Sequence, residues 1–175
     1  EIAGGMGVKM ATPERDVYVM VGDGSYLMMS SELVTMVQER IKVIVVLINN
    51  HGFASIGGLS ASVGSAGFGT RYRHRDENDQ LEGEVVQVDF ATNMESFGAK
   101  VIRTHNKAEL EDALRVAKAH EGGPICIYIE ADREQRVGGY ESWWDVAIAE
   151  VSDNPEVQSA YAAYREKKQK ERYFL

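Results

Sequence analysis

The sequence predicts an α/β domain, a mainly parallel sheet flanked by helices on both faces, with an appended C-terminal helical tail. Three features carry that expectation. Residues 43–48 (VIVVLI) and 125–129 (ICIYI) are short apolar runs rich in β-branched side chains, the pattern of strands buried on both faces of a parallel sheet. Segments with helical periodicity alternate with the strand-like runs, as βαβ units require. Beyond residue 132 the alternation stops and a polar, helix-like end follows.

Residues 1–11 (EIAGGMGVKMA) open in a helical pattern, with Ile2, Gly5, Met6 and Met10 as its apolar or small positions. The chain begins without methionine and inside that helix, so upstream domains of a longer polypeptide are expected. Residues 16–21 (DVYVMV) read as the first strand. Ser30, Ser31 and Glu32 suit a helix start, and Leu33, Val34, Met36, Val37 and Ile41 recur at helical spacing. Residues 52–69, rich in Gly, Ser and Ala, read as a loop with room for one short helix. Residues 71–84 are charged and expected to be exposed. A short helix over 90–97 and a strand over 99–103 follow. Asn106 and Glu109 form a capping-box-like start; Leu110, Leu114 and Ala117 continue that helix, and Gly122-Gly123-Pro124 stops it. In the tail, Asp153 or Asn154 can cap and Pro155 suits the first helical position. Val157, Tyr161 and Tyr164 then mark the docking face of a helix over about 155–172. The expected division is a cofactor-binding domain over 1–132 and a tail over 133–175.

At 175 residues the chain suffices for one domain with a real core. Its formal net charge of −8 disfavours nucleic acid and anionic membrane surfaces as partners. One cysteine permits no intrachain disulfide and suits a reducing cytoplasm. No apolar run approaches the roughly 18 residues that a spanning helix needs.

The chemistry is concentrated in 17–50. The first strand ends in Gly22-Asp23-Gly24 and the second in Asn49-Asn50, with 24 residues between Gly24 and Asn49, one crossover helix plus one strand. Parallel strands joined by a helix end on the same side of the sheet, and neighbouring strands lie ~4.8 Å apart. Asp23 and Asn50 can therefore share one magnesium ion, which binds oxygens at ~2.1 Å and keeps water and phosphates as further ligands. Gly24 and Ser25 open toward the next helix, where backbone N–H groups favour phosphate. A Rossmann site fits poorly: Leu27 stands where the third glycine belongs, and the second strand ends in amides, not an acid. No Gly-x-x-x-x-Gly-Lys loop is present.

Gly22-Asp23-Gly24 and Asn49-Asn50 at this spacing resemble the signature of thiamine diphosphate-dependent enzymes. The resemblance covers residues 1–132, similar to their diphosphate-binding domain, and extends to "VDFATNMESFGAKVIRTHNKAELEDAL". It implies that Asp23, Asn50 and the backbone carbonyl of Gly52 bind Mg2+, and that Gly22, Asp23, Gly24, Ser25, Asn50 and Gly52 form the cofactor site. "NNHGFASIGGL" and "GGYESWWDVAIAEVS…ERYFL" further resemble the trihydroxycyclohexane-1,2-dione hydrolase family of inositol catabolism. That implies ring C–C cleavage of a cyclic polyhydroxy dione to 5-deoxyglucuronate. In such a reaction the cofactor adds to one carbonyl, its ring serves as electron sink, and water releases an acid. The resemblance also implies self-association into a dimer or tetramer. The required glutamate would lie in a missing upstream domain, so this chain alone is expected not to turn over. Decarboxylase or acetohydroxyacid synthase chemistry, or a non-catalytic Mg-diphosphate module, are the alternatives.

His51 follows the amides and is a candidate contact for substrate or phosphate. His74, His105 and His120 are expected at the surface and Cys126 in the core. Residues 71–75 (RYRHR) read as a solvated or substrate-covering loop. Trp143 and Trp144 are expected to pack the tail. Met20, Met28, Met29 and Met36 are expected in the core or lining a pocket.

Overall fold

A computed structural model describes residues 1–135, 137–138 and 145–172. Its elements run α1 (Ile2–Ala11), β1 (Tyr18–Gly22), α2 (Asp23–Met28), α3 (Glu32–Gln38), β2 (Ile44–Asn49), α4 (Ala54–Ser62), α5 (Phe90–Ser96), β3 (Lys100–Thr104), α6 (Lys107–Ala119), β4 (Ile125–Glu130) and α7 (Pro155–Gln169). The four strands form one parallel sheet in the order β1-β2-β4-β3. The two unbroken apolar runs are the central strands, β2 and β4, where burial on both faces selects such residues.

The sheet separates two apolar layers. Val19, Val21, Val45, Leu47 and Cys126 point into the larger one, against Ile2 of α1, Tyr26 of α2, Leu33 and Met36 of α3, and Phe90 and Met94 of α5. Ile44, Val46, Ile125 and Ile127 point the other way, against Ala113 and Ala117 of α6. Burial raises the pKa of the Cys126 thiol to about 12, as befits an inert core residue.

Side-chain caps mark the starts of α5, α6 and α7. Asn106 accepts from Glu109 N at 3.0 Å, and the Glu109 carboxylate reaches back to His105 N at 2.8 Å. Asn154, not Asp153, caps α7, accepting from Glu156 N at 2.9 Å with Pro155 in the first turn. Val157 is buried, and Asn154 Nδ2 donates to Gly64 O at 3.1 Å, so the start of α7 sits on the loop after α4. Tyr161 and Tyr164 are half-buried and stack on each other, with ring centroids 6.3 Å apart.

At Gly22-Asp23-Gly24, β1 runs into α2 with no intervening loop. The short helix for which residues 52–69 had room is α4, nine residues long. Several expectations are corrected. Arg71 to Glu84 is not wholly a surface loop, because Tyr72 is half-buried and packs on the main core. His120 is half-buried at the end of α6, where burial, then Lys100 and Lys42, lower its pKa. Met36 is in the core, but Met20, Met28 and Met29 are 69%, 71% and 56% exposed, and Met10 and Val34 are exposed as well. The physical reason for Met20 is its strand. β1 lies at a sheet edge, and α6, which covers that face, packs on β3 and β4. Trp143 and Trp144 lie outside the described residues.

Gly5 permits the contact between α1 and β1. A Cβ there would fall 2.2 Å from Val19 Cγ2, whereas Gly4 and Gly7 of the same helix face open space. Gly5→Ala is therefore expected to cost about 1–3 kcal/mol through overpacking. Gly4→Ala is expected to gain about 0.5–1 kcal/mol of helix stability. Urea denaturation of the two variants beside the parent protein checks both signs.

Candidate functional site

The site lies where β1 and β2 end side by side, with Gly22 in register with Ile48. Asp23 is completely buried. Its Oδ1 accepts from Asn50 N at 3.3 Å and its Oδ2 from Gly52 N at 2.7 Å. The first residue after β1 is thereby tied to the turn after β2, and sequence spacing alone correctly brings Asp23 and Asn50 together.

The two amides have different tasks. Asn49 is structural: its Nδ2 donates to the Tyr128 hydroxyl at 2.9 Å and its Oδ1 accepts from His51 N at 3.0 Å. Its carbonyl accepts from Ala131 N at 2.8 Å. These bonds join β2 to β4 and hold His51 in a left-handed conformation, φ 58, sparsely used by non-glycine residues. Asn50 is left over. Its Oδ1 is buried and has no hydrogen-bond partner among the described residues. A folded protein rarely leaves such an atom without a role.

Glycines shape the walls. Gly52 has φ 145, and a Cβ there would stand 2.4 Å from Thr70 O. A Cβ on Gly24 would stand 2.6 Å from the Phe53 ring. Gly24 is buried, and Ser25 is half-buried. A cleft of about 550 Å³ opens beside Asn50, lined also by Ala54, Ser55, Asp132 and Arg133.

The His51 imidazole lies 2.5 Å from Glu130 Oε1 at the end of β4, pairing across the sheet's carboxyl edge. Two further residues were not singled out in the sequence. Arg133 donates to Thr70 O at 3.2 Å and His51 O at 3.5 Å, and fills the space that side chains at Gly52 and Gly57 would need. Tyr72 joins the same turn through its backbone N–H, 3.3 Å from His51 O. An aromatic residue alone among arginines and a histidine was the available signal for Tyr72; nothing local marks Arg133.

The donor set suits a hard divalent cation. It offers one buried carboxylate and one buried amide oxygen without a partner, and leaves most of the roughly six oxygen positions of magnesium to phosphate and water. Among the described residues no three His, Cys, Asp or Glu side chains gather as an all-protein metal cage.

A parallel α/β sheet with a buried carboxylate and an unpartnered amide oxygen at its carboxyl edge fits the class of α/β proteins that take a ligand beyond the strand ends. The family follows from sequence comparison. Residues 1–129 match the thiamine pyrophosphate enzyme C-terminal TPP-binding domain, and the chain belongs to that family. It is similar to the 3D-(3,5/4)-trihydroxycyclohexane-1,2-dione hydrolase 2 of Bacillus cereus strain ZK / E33L, with 41% identity over 99% of this chain and 27% of that protein. The 3D-(3,5/4)-trihydroxycyclohexane-1,2-dione hydrolase of B. cereus strain AH820 is 43% identical over 92% of this chain and 25% of its own length. The chain thus spans about a quarter of these relatives. Among solved structures, the thiamine diphosphate-dependent 4-hydroxybenzoylformate decarboxylase of Rhodococcus jostii RHA1 shares the fold. Its TM-score is 0.59 at 21% identity, over 73% of this chain and 22% of that one. Among the described residues no helix is long and apolar enough to cross a membrane.

The two amides are expected to separate by stability. Asn49→Ala leaves the Tyr128 hydroxyl and His51 N–H unpaired and should lower unfolding free energy by about 1–3 kcal/mol. Asn50→Ala removes an oxygen that bonds nothing and should cost less than about 1 kcal/mol without ligand. Chemical denaturation of both variants, free of metal and cofactor, checks the contrast.

Proposed function

We propose that this chain is the cofactor-diphosphate-binding part of a thiamine diphosphate- and magnesium-dependent hydrolase that cleaves a ring C–C bond of trihydroxycyclohexane-1,2-dione. The product would be 5-deoxyglucuronate, in the cytoplasmic degradation of inositol. The observation that carries the cation is the buried, unpartnered Asn50 Oδ1 next to the Asp23 carboxylate. The substrate class rests on the names of relatives 41% and 43% identical to this chain.

The bound cofactor would supply an electron sink for the breaking C–C bond. The chain's own residues would bind and orient. Asp23 contributes the charged oxygen, Asn50 a neutral one, and Gly52 a backbone carbonyl as the third protein ligand. Gly24 and Ser25 meet the diphosphate, with Gly22 setting the exit of the strand. Backbone donors from residues 50 and 52 hold Asp23, so the ligand set is arranged before the cation arrives. The glutamate that activates the cofactor would come from another part of the full-length protein, contributed across a dimer or tetramer interface.

In the full-length protein, Asp23→Ala is expected to abolish Mg2+-dependent thiamine diphosphate binding. Asn50→Ala should weaken binding less, because water can replace a neutral oxygen but not a charge. Calorimetric titration of thiamine diphosphate with Mg2+ or with EDTA measures both effects. Unchanged affinity in Asp23→Ala would remove the assignment. Turnover of the cyclic dione, with none of pyruvate, is the expected substrate result.

A further inference from the structure

The Tyr72 hydroxyl is the second buried side-chain oxygen that lacks a hydrogen-bond partner among the described residues, after Asn50 Oδ1. A buried hydroxyl without a bond costs free energy and calls for an explanation.

Its position offers one. The Tyr72 backbone is fixed on both sides, its N–H donating to His51 O at 3.3 Å and its carbonyl accepting from Val86 N at 2.8 Å. Arg73 also pairs with Val85 in an antiparallel bridge, and Arg71 pairs with Gly52. The ring meets Phe53 edge-on, with centroids 6.0 Å apart and an 80° interplanar angle, and Phe53 in turn covers Gly24. Tyr72 is thus held by the turn and the aromatic wall that frame Asp23, Asn50 and Gly52. Burial first, then the negative charge of Asp23 and a contact of the hydroxyl with that carboxylate outside full hydrogen-bond geometry, raise its pKa to about 12, with the Arg133 charge acting in the opposite direction. A tyrosine hydroxyl can donate one hydrogen bond. Each carboxylate oxygen has two lone-pair positions, and each oxygen of Asp23 accepts one backbone N–H. Capacity remains for a cation and one further donor.

We propose that Tyr72 is a positioning residue for Asp23, its hydroxyl donating to that carboxylate in the cation-loaded site. The inference rests on the Mg2+–diphosphate role proposed above for Asp23. Carboxylates that bind metals are themselves commonly hydrogen-bonded, and loss of such an outer partner costs about 10–100-fold in affinity. In the free protein the hydroxyl already lies beside Asp23 without completing a hydrogen bond, so the bond formed in the loaded site would aid the complex and not the fold.

The test uses the full-length protein and Tyr72→Phe, which keeps the ring and its packing. Two quantities are read: the thermal midpoint without metal or cofactor, and the Mg2+ concentration that half-saturates thiamine diphosphate binding. The midpoint should stay the same or rise, and the Mg2+ requirement should increase about 10–100-fold. An unchanged Mg2+ requirement would overturn the proposal, as would a fall in the midpoint of the free protein, which would mark the hydroxyl as a folding contact. If the parent protein binds no thiamine diphosphate at any Mg2+ concentration, the cofactor role fails first and Tyr72 with it. Asp23→Asn separates the cases, because a parent that binds and an Asp23→Asn that does not would leave Tyr72→Phe as the sole question.

Discussion

The structure depends at its functional end on one buried carboxylate. Asp23 accepts from the backbone N–H groups of Asn50 and Gly52, and those bonds fasten the end of β1 to the turn beyond β2. A buried charge is tolerated only when it is well bonded. The rest of the site can be read as what this requires. The chain must bend sharply after β2, so Asn49 braces His51 in a left-handed conformation and a glycine stands at 52. The loop must then pass close behind, so Thr70 and Arg133 fill the space that Gly52 and Gly57 leave.

The same geometry supports the proposal that the ligand sits at this edge of the sheet. Parallel strands point their carboxyl ends the same way, and ligands of open α/β sheets collect beyond those ends. Here the crossing from β1 to α2 involves no loop at all, so the strand end and the helix start fix the position of the Asp23 backbone. Asn50 presents an oxygen that nothing in the described protein satisfies. Under the proposed function, the held carboxylate and the spare amide oxygen would form part of a coordination shell that a phosphate-bearing cofactor completes.

Much of this was legible in the sequence, for identifiable reasons. VIVVLI and ICIYI disclosed the central strands because burial on both faces leaves no polar position. Asp23 and Asn50 were legible because parallel strands and a known crossover length fix where two chain positions meet. Asn106 and Asn154 announced their helices through local capping bonds. What was not legible arrives through tertiary packing. Met20 alternates like a buried strand residue but lies on an edge that α6 does not reach. Arg133 follows the last strand and fits glycine-made spaces far away in sequence. Tyr72 is concealed in a charged run whose composition suggests solvent, while its ring packs on Phe53. A short helix was expected within residues 52–69, but its bounds were not legible, because three of the nine positions of α4 are serine and two are glycine, weak helix formers.

The central claim is that Asp23 and Asn50 jointly hold a cation that carries a diphosphate. A crystal structure of the full-length protein with Mg2+ and thiamine diphosphate tests it most directly. The account predicts one octahedral ion about 2.1 Å from an Asp23 carboxylate oxygen and from Asn50 Oδ1, sharing oxygens of the diphosphate. A diphosphate bound elsewhere, or an ion at this edge with Asn50 Oδ1 turned away from it, would contradict the account.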